Sequence, residues 1–148
     1  MNPAHIHLLT NHLPVLGVPF GAAVLLYGLW RRSDDVKRLG LLVLVLCAAG
    51  AVPVYLTGLW AEEQVEKIPG VSSGLVDAHH DAATTSLAGA VLLGCVALVS
   101  LLLYSKRRDA ARALLWTLLV GALAVAGLMA WTANLGGQIR HPEIRSVK

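Results

Sequence analysis

Long apolar runs alternate with short charged segments along this chain. Four runs stand out, at about residues 8–30, 39–60, 82–104 and 111–134, and none has a Lys, Arg, Asp or Glu in its middle. A helix needs about 20 apolar residues to cross a bilayer. The pattern therefore predicts four transmembrane helices.

The connections between these runs predict how the helices pair. Charged residues return abruptly at 31–38 and 106–112, and both connections are short. The connection at 61–81 is longer and contains the turn signal Pro69-Gly70. We expect two hairpins in one membrane domain spanning residues 1–148, an all-α, up-and-down bundle of four transmembrane helices.

Composition supports a membrane protein over a soluble one. The chain is 56% hydrophobic and 14% charged, whereas about a quarter of the residues in a soluble domain are charged. This balance disfavours a disordered chain, a disulfide-rich secreted scaffold and a nucleic-acid-binding domain. The lipid bilayer is the expected partner, and no nucleic acid is expected.

The distribution of charge predicts an orientation. Most of the 12 Lys and Arg residues flank the first and third runs, at 31–38 and 106–112. The positive-inside rule places these loops in the cytoplasm, so both termini and the central connection lie outside. We expect a multi-pass protein of the bacterial inner membrane whose first span remains as an uncleaved anchor.

All six histidines fall on the predicted outer side, which is the most informative feature of the sequence. They flank the start of the first run, the start of the third and the end of the fourth: His5, His7, His12, His79, His80 and His141. A polar residue below the membrane interface is costly unless it faces the bundle interior, so it is a functional-site hypothesis by default. Neutral imidazoles on different helices suit the two axial positions of a b-type haem.

Several ligand sets are compatible with this hypothesis. His12 with His80 or His79 is the natural axial pair, and His5 or His7 with His141 would form a second site nearer the surface.

Other polar residues at this depth could support the ligands. Asp77 or Asp81 could accept the second ring proton of a ligand histidine. Asn11 and Asn134 place amides at a similar depth on the first and fourth runs.

A bare transition metal is the alternative to haem. Histidines with carboxylates suit Zn or Cu, and three acidic residues share the histidine side: Glu62, Glu63 and Glu66. No spacing among these residues is a specific metal motif.

The two hairpins carry a short internal echo. Each begins with a histidine, His12 or His80, and each closes on an aromatic, small and polar segment, at 55–60 and 131–136. Two parallel repeats about an axis normal to the membrane would bring the outer ends of both hairpins together.

Three outer segments carry a resemblance to a known group of proteins. They are Asn11-His12-Leu13-Pro14, Asp77-Ala78-His79-His80 and a Gly-Gly-x-x-x-His-Pro tail that runs from Gly136 to Pro142. On these segments the chain resembles a family of uncharacterised bacterial four-helix integral membrane proteins, a domain of unknown function. The resemblance implies a membrane bundle, directs attention to His12, His80 and His141, and implies no activity.

We therefore predict a small inner-membrane protein that binds b-type haem at the outer side of its bundle and transfers electrons. Its partner would be a periplasmic or quinone-linked redox protein, and a homo-oligomer is also compatible with the sequence. The alternatives are a Zn- or Cu-binding membrane protein and a non-catalytic subunit or assembly factor. Small residues that could pack against partners, including Gly17, Gly21 and Ser86, motivate the last. No nucleophile with a base and no phosphate loop is present, so we do not predict an enzyme.

Overall fold

The computed structural model describes residues 2–103 and 108–145. For residues 108–112 it describes the backbone only. Within these ranges the chain is helical, without strands. The helices are α1 (Pro3–Thr10), α2 (His12–Arg31), α3 (Asp34–Glu66), α4 (Ser73–Leu103) and α5 (Arg108–Arg140), followed by a 3-10 turn at Pro142–Ile144. The connection 104–107, which holds the predicted cytoplasmic residues Lys106 and Arg107, lies outside the described residues.

The prediction of four apolar helices is confirmed. Four segments are long and apolar enough to cross a membrane: Pro3–Arg31, Asp34–Glu66, Ser73–Leu103 and Ala113–Arg140. The helices extend past the apolar runs, because backbone hydrogen bonding continues where the hydrophobic pattern stops. The connection between α3 and α4 therefore spans only residues 67–72, much less than the predicted 61–81.

The first membrane segment is two helices in series, with a break caused by proline. Pro14 has no N–H to donate to the carbonyl of Thr10 and its ring crowds that carbonyl. The break at Asn11 is slight, since the Asn11 N–H still donates to the His7 carbonyl at 2.9 Å. Helix α1 packs along α3.

The helices form a closed ring of four around a common core. Helices α2 and α4 each contact both α3 and α5, so α2 lies diagonally opposite α4. The histidine end, defined here as the end where α1 and α4 begin and α3 and α5 finish, holds all six histidines.

The buried positions reveal that the two hairpins are pseudo-equivalent. A shift of 72 residues carries every buried residue of α2 onto a buried residue of α4, from Pro14 onto Ser86 through to Gly28 onto Ser100. A shift of 78 does the same for α3 onto α5 for every buried residue but Ala48. The buried positions thus repeat in a register that aligns His7 with His79, which differs from the alignment of His12 with His80 in the sequence echo.

The small residues on α2 and α4 pack inside this bundle. A side chain at Gly17 would meet Cys47, and one at Gly21 would meet Leu44 at 2.9 Å. Ser86 is buried and bonded to α5. These residues bring helices of the same chain together, so they do not form the partner-binding face that motivated the assembly-factor alternative.

Candidate functional site

His7 of α1 is fixed against α3 by a hydrogen bond and a glycine. Its Nδ1 lies 3.0 Å from the carbonyl oxygen of Val54, which also accepts the Thr57 hydroxyl at 2.8 Å. A Cβ at Gly58 would come within 3.0 Å of the ring Cε1. Glycine at this position therefore lets the imidazole lie directly on the helix backbone.

His79 of α4 is fixed against α5 in the same way. Its Nδ1 lies 2.9 Å from the carbonyl oxygen of Thr132. A Cβ at Gly136 would come within 3.0 Å of its Cε1. The Thr132 hydroxyl is bonded to Ser86 at 2.9 Å, which ties the carbonyl-bearing turn of α5 to α4.

These two environments are equivalent under the pseudo-symmetry of the hairpins. The 72-residue shift relates the two histidines, and the 78-residue shift relates Val54 to Thr132 and Gly58 to Gly136. Both glycines follow their carbonyl by four residues, one helical turn, so each carbonyl and its glycine lie on the same helix face. The repeat therefore builds two matching imidazole cradles.

The two imidazoles lie close together in a T-shaped arrangement at the histidine end. Their ring centres are 6.5 Å apart and their planes meet at 87°. Both rings are partly buried.

The hydrogen bonds also determine that Nδ1 of each ring is protonated. A carbonyl oxygen only accepts, so Nδ1 of each ring carries the proton. In the neutral tautomer, Nε2 of each ring then has a free lone pair, as a metal ligand requires.

A buried acceptor without a partner lies one turn from this pair. Asn11 follows His7 by four residues, and its Oδ1 is buried with no hydrogen-bond partner among the described residues. Buried polar atoms are seldom left in this state. The interior of the histidine end therefore still has an unmet hydrogen-bonding capacity.

His80 lies on another side of α4 and contacts α3. Its Nδ1 is 2.9 Å from Glu62 Oε2, with about a third of each side chain exposed. The Tyr55 ring lies 6.1 Å away, and its hydroxyl bonds Thr84 at 2.8 Å. His80 is thus part of a polar contact between α3 and α4.

The remaining histidines, His5, His12 and His141, are exposed. No ring contact in the described part of the chain joins His12 to His80. His141 lies 2.9 Å from Glu143. The pKa of the Glu143 carboxyl lies below its ordinary value, mainly because the backbone N–H of Glu143 donates a hydrogen bond to it and also because His141 does.

The two carboxylates proposed to support the ligands lie at the surface, and so does one of the two proposed amides. Asp77, Asp81 and Asn134 are exposed, and backbone carbonyls take the place of the expected carboxylate partners at His7 and His79. One ligand atom each of Glu62, Glu66 and Asp77 lies within 4.8 Å of the others. This acidic group is the one cluster of metal-ligating residues found among the described residues.

Comparison with known proteins agrees with this architecture. Residues 3–141 match the family described as "Predicted membrane protein (DUF2231)". The chain belongs to this family. No curated protein and no solved structure matches this DUF2231 chain. The resemblance to an uncharacterised membrane protein family is therefore confirmed.

The pairing of His7 with His79 is the feature that sequence reasoning missed. The internal echo was aligned on His12 and His80, which differ by 68 positions. The sequence does contain a signal for this pair. His7 and His79 are 72 residues apart, and Gly58 and Gly136 are 78 residues apart, which are the two shifts that relate the hairpins.

Proposed function

We propose that this DUF2231 protein binds b-type haem through His7 and His79 and transfers electrons at the histidine end of its bundle. The observation that carries the proposal is the close pair of imidazoles, each with its Nδ1 proton bound to a backbone carbonyl. The ligand assignment differs from the His12 and His80 pair favoured by sequence spacing, and it uses residues from the same two membrane segments.

The spacing of the two rings suits a shared metal. Imidazoles on opposite sides of one metal ion, with bonds of about 2.0 Å, have ring centres about 6 Å apart. The observed separation is 6.5 Å. His7 lies on α1, which packs along α3, and His79 lies on α4, so the two rings come from different helices of the bundle.

The ligand set indicates which reaction such a haem would support. Haem iron changes between two oxidation states one electron at a time, and its axial ligands tune its potential. With His7 and His79 as its two protein ligands, such a haem would have no open position for a substrate. Electron transfer is therefore the expected role, and the unpartnered Oδ1 of Asn11 could accept a hydrogen bond from a water beside the cofactor.

The one-sided placement of the histidines restricts the partner. No histidine lies at the opposite end of the bundle, so a relay of bis-histidine haems across the membrane is not available to this chain. We infer a periplasmic or quinone-linked redox partner on the histidine side, with the chain in the bacterial inner membrane as the charge distribution predicts.

A bare Zn or Cu ion is the second candidate. The close pair of imidazoles favours it, since imidazole nitrogen binds both metals and needs no porphyrin to do so. The carboxylates of Glu62, Glu66 and Asp77, which lie within 4.8 Å of one another, suit a harder cation.

An absorption spectrum of the purified protein tests the proposal. Protein produced with ample haem should show a Soret band that His7→Ala or His79→Ala abolishes and that the control His12→Ala leaves unchanged. Metal without haem in elemental analysis would support the bare ion. A Soret band that survives both alanine variants would overturn the ligand assignment.

A further inference from the structure

A groove opens between α4 and α5 at the histidine end. Its volume is about 330 Å³ and its lining residues are Ala78, Asp81, Ala82, Thr85, Leu128 and Trp131. This volume lies in the range of small-ligand sites, about 300–1,000 Å³. The groove adjoins the His79 cradle but shares no residue with it.

The groove combines a carboxylate with an exposed indole at the border of the apolar region. Asp81 precedes the third apolar run, at 82–104, and its backbone carbonyl accepts the Thr85 hydroxyl at 3.0 Å. Its carboxylate has no hydrogen bond or ion pair within the described ranges. Trp131 lies on α5 and is 59% exposed. An anionic group beside an aromatic face is a site for a cation, by charge pairing and by cation–π attraction.

The pseudo-symmetry shows that α4 lacks bulk on this side. Where the groove has Ala78, Asp81 and Thr85, the first hairpin has Ile6, Leu9 and Leu13 by the 72-residue shift. Leu13 extends over α3, since its Cδ2 would meet a Cβ at Gly50 at 2.9 Å. The second hairpin has an alanine, a carboxylate and a threonine in place of these three apolar side chains.

We propose that this groove binds a membrane phospholipid with an ammonium headgroup, of the phosphatidylethanolamine class. The ammonium group pairs with the Asp81 carboxylate beside the Trp131 indole. An acyl chain covers Ala82, Thr85 and Leu128, taking the place of the leucines of the first hairpin. Charge complementarity selects this occupant over anionic lipids, and membrane lipid is the apolar ligand available at this depth. The proposal does not depend on haem.

The test is lipid retention by the purified full-length protein, measured by native mass spectrometry in detergent with added phosphatidylethanolamine or phosphatidylglycerol. The wild type should retain phosphatidylethanolamine preferentially. Asp81→Asn should weaken that retention about tenfold, the loss expected for one charge-assisted contact. The control Asp35→Asn, also an exposed carboxylate but at the opposite end of the bundle, should behave as the wild type.

A second variant tests the acyl-chain part of the groove without changing charge. Thr85→Leu introduces the side chain that the first hairpin has at Leu13, and it should also reduce lipid retention. Equal binding of both lipids by the wild type would overturn the proposal, as would an Asp81→Asn variant that retains phosphatidylethanolamine like Asp35→Asn.

Discussion

Replacement of Gly136 by alanine should disturb the position of the His79 ring. Substitution by alanine places a Cβ within 3.0 Å of His79 Cε1, where two carbon atoms prefer about 3.5–4.0 Å. The imidazole must therefore move by a few tenths of an ångström. That movement disturbs its 2.9 Å hydrogen bond to the Thr132 carbonyl and its approach to His7.

The free-energy cost of this contact can be measured separately by comparison with a second glycine on the same helix. Overpacking of this kind costs about 1–3 kcal/mol, while Gly→Ala in a helix gains about 0.5–1 kcal/mol from backbone entropy. A Cβ at Gly127 would meet nothing within 4 Å. Gly127→Ala thus receives the gain without the contact, and the difference between the two variants measures the contact alone.

The assay is denaturant unfolding of both variants in mixed micelles, followed by haem titration. We expect Gly136→Ala to be about 1–3 kcal/mol less stable than Gly127→Ala and to bind haem more weakly. The reasoning is refuted if the two variants have the same unfolding free energy and the same haem affinity.

Three further substitutions test other parts of the structure. Gly94→Ala adds a Cβ against that of Ala48 at the α3–α4 contact, so thermal unfolding should show a loss of about 1–3 kcal/mol, and an unchanged melt would contradict the packing. Glu62→Gln should cost at most about 1 kcal/mol, because its contact with His80 is partly exposed; a larger loss in the same assay would mean that the contact holds α3 and α4 together. His5→Ala, at an exposed position, should leave the haem spectrum intact, and loss of the Soret band would place His5 among the ligands.

The sequence was sufficient to predict the four apolar helices but not all of their ends. The ends of an apolar run mark where the chain leaves hydrocarbon, whereas helix ends depend on hydrogen bonding. α3 therefore continues through Glu62 to Glu66, well past the predicted end of the second run at Trp60. Proline at position 14 explains the break before His12, although the sequence alone did not indicate that α1 would turn onto α3.

The location of the candidate site could be predicted from spacing along the chain, whereas its ligands could be found only through the 72- and 78-residue shifts between the hairpins. That six histidines share one end follows from counting along the chain. Which of them face each other depends on how α1 and α4 are rotated in the bundle, which no spacing within one helix reveals. His12 lies within the first apolar run, yet it is exposed, whereas His7 is partly buried because Gly58 leaves room for its ring.

The central claim is that His7 and His79 act together as two ligands of one cofactor. The most direct test is the haem affinity of the wild type, His7→Ala, His79→Ala and the double variant, compared as a double-mutant cycle. The account predicts strong non-additivity: each single variant should lose nearly as much affinity as the double variant, because either change removes the paired site. Additive losses, or haem affinity that survives in the double variant, would contradict it.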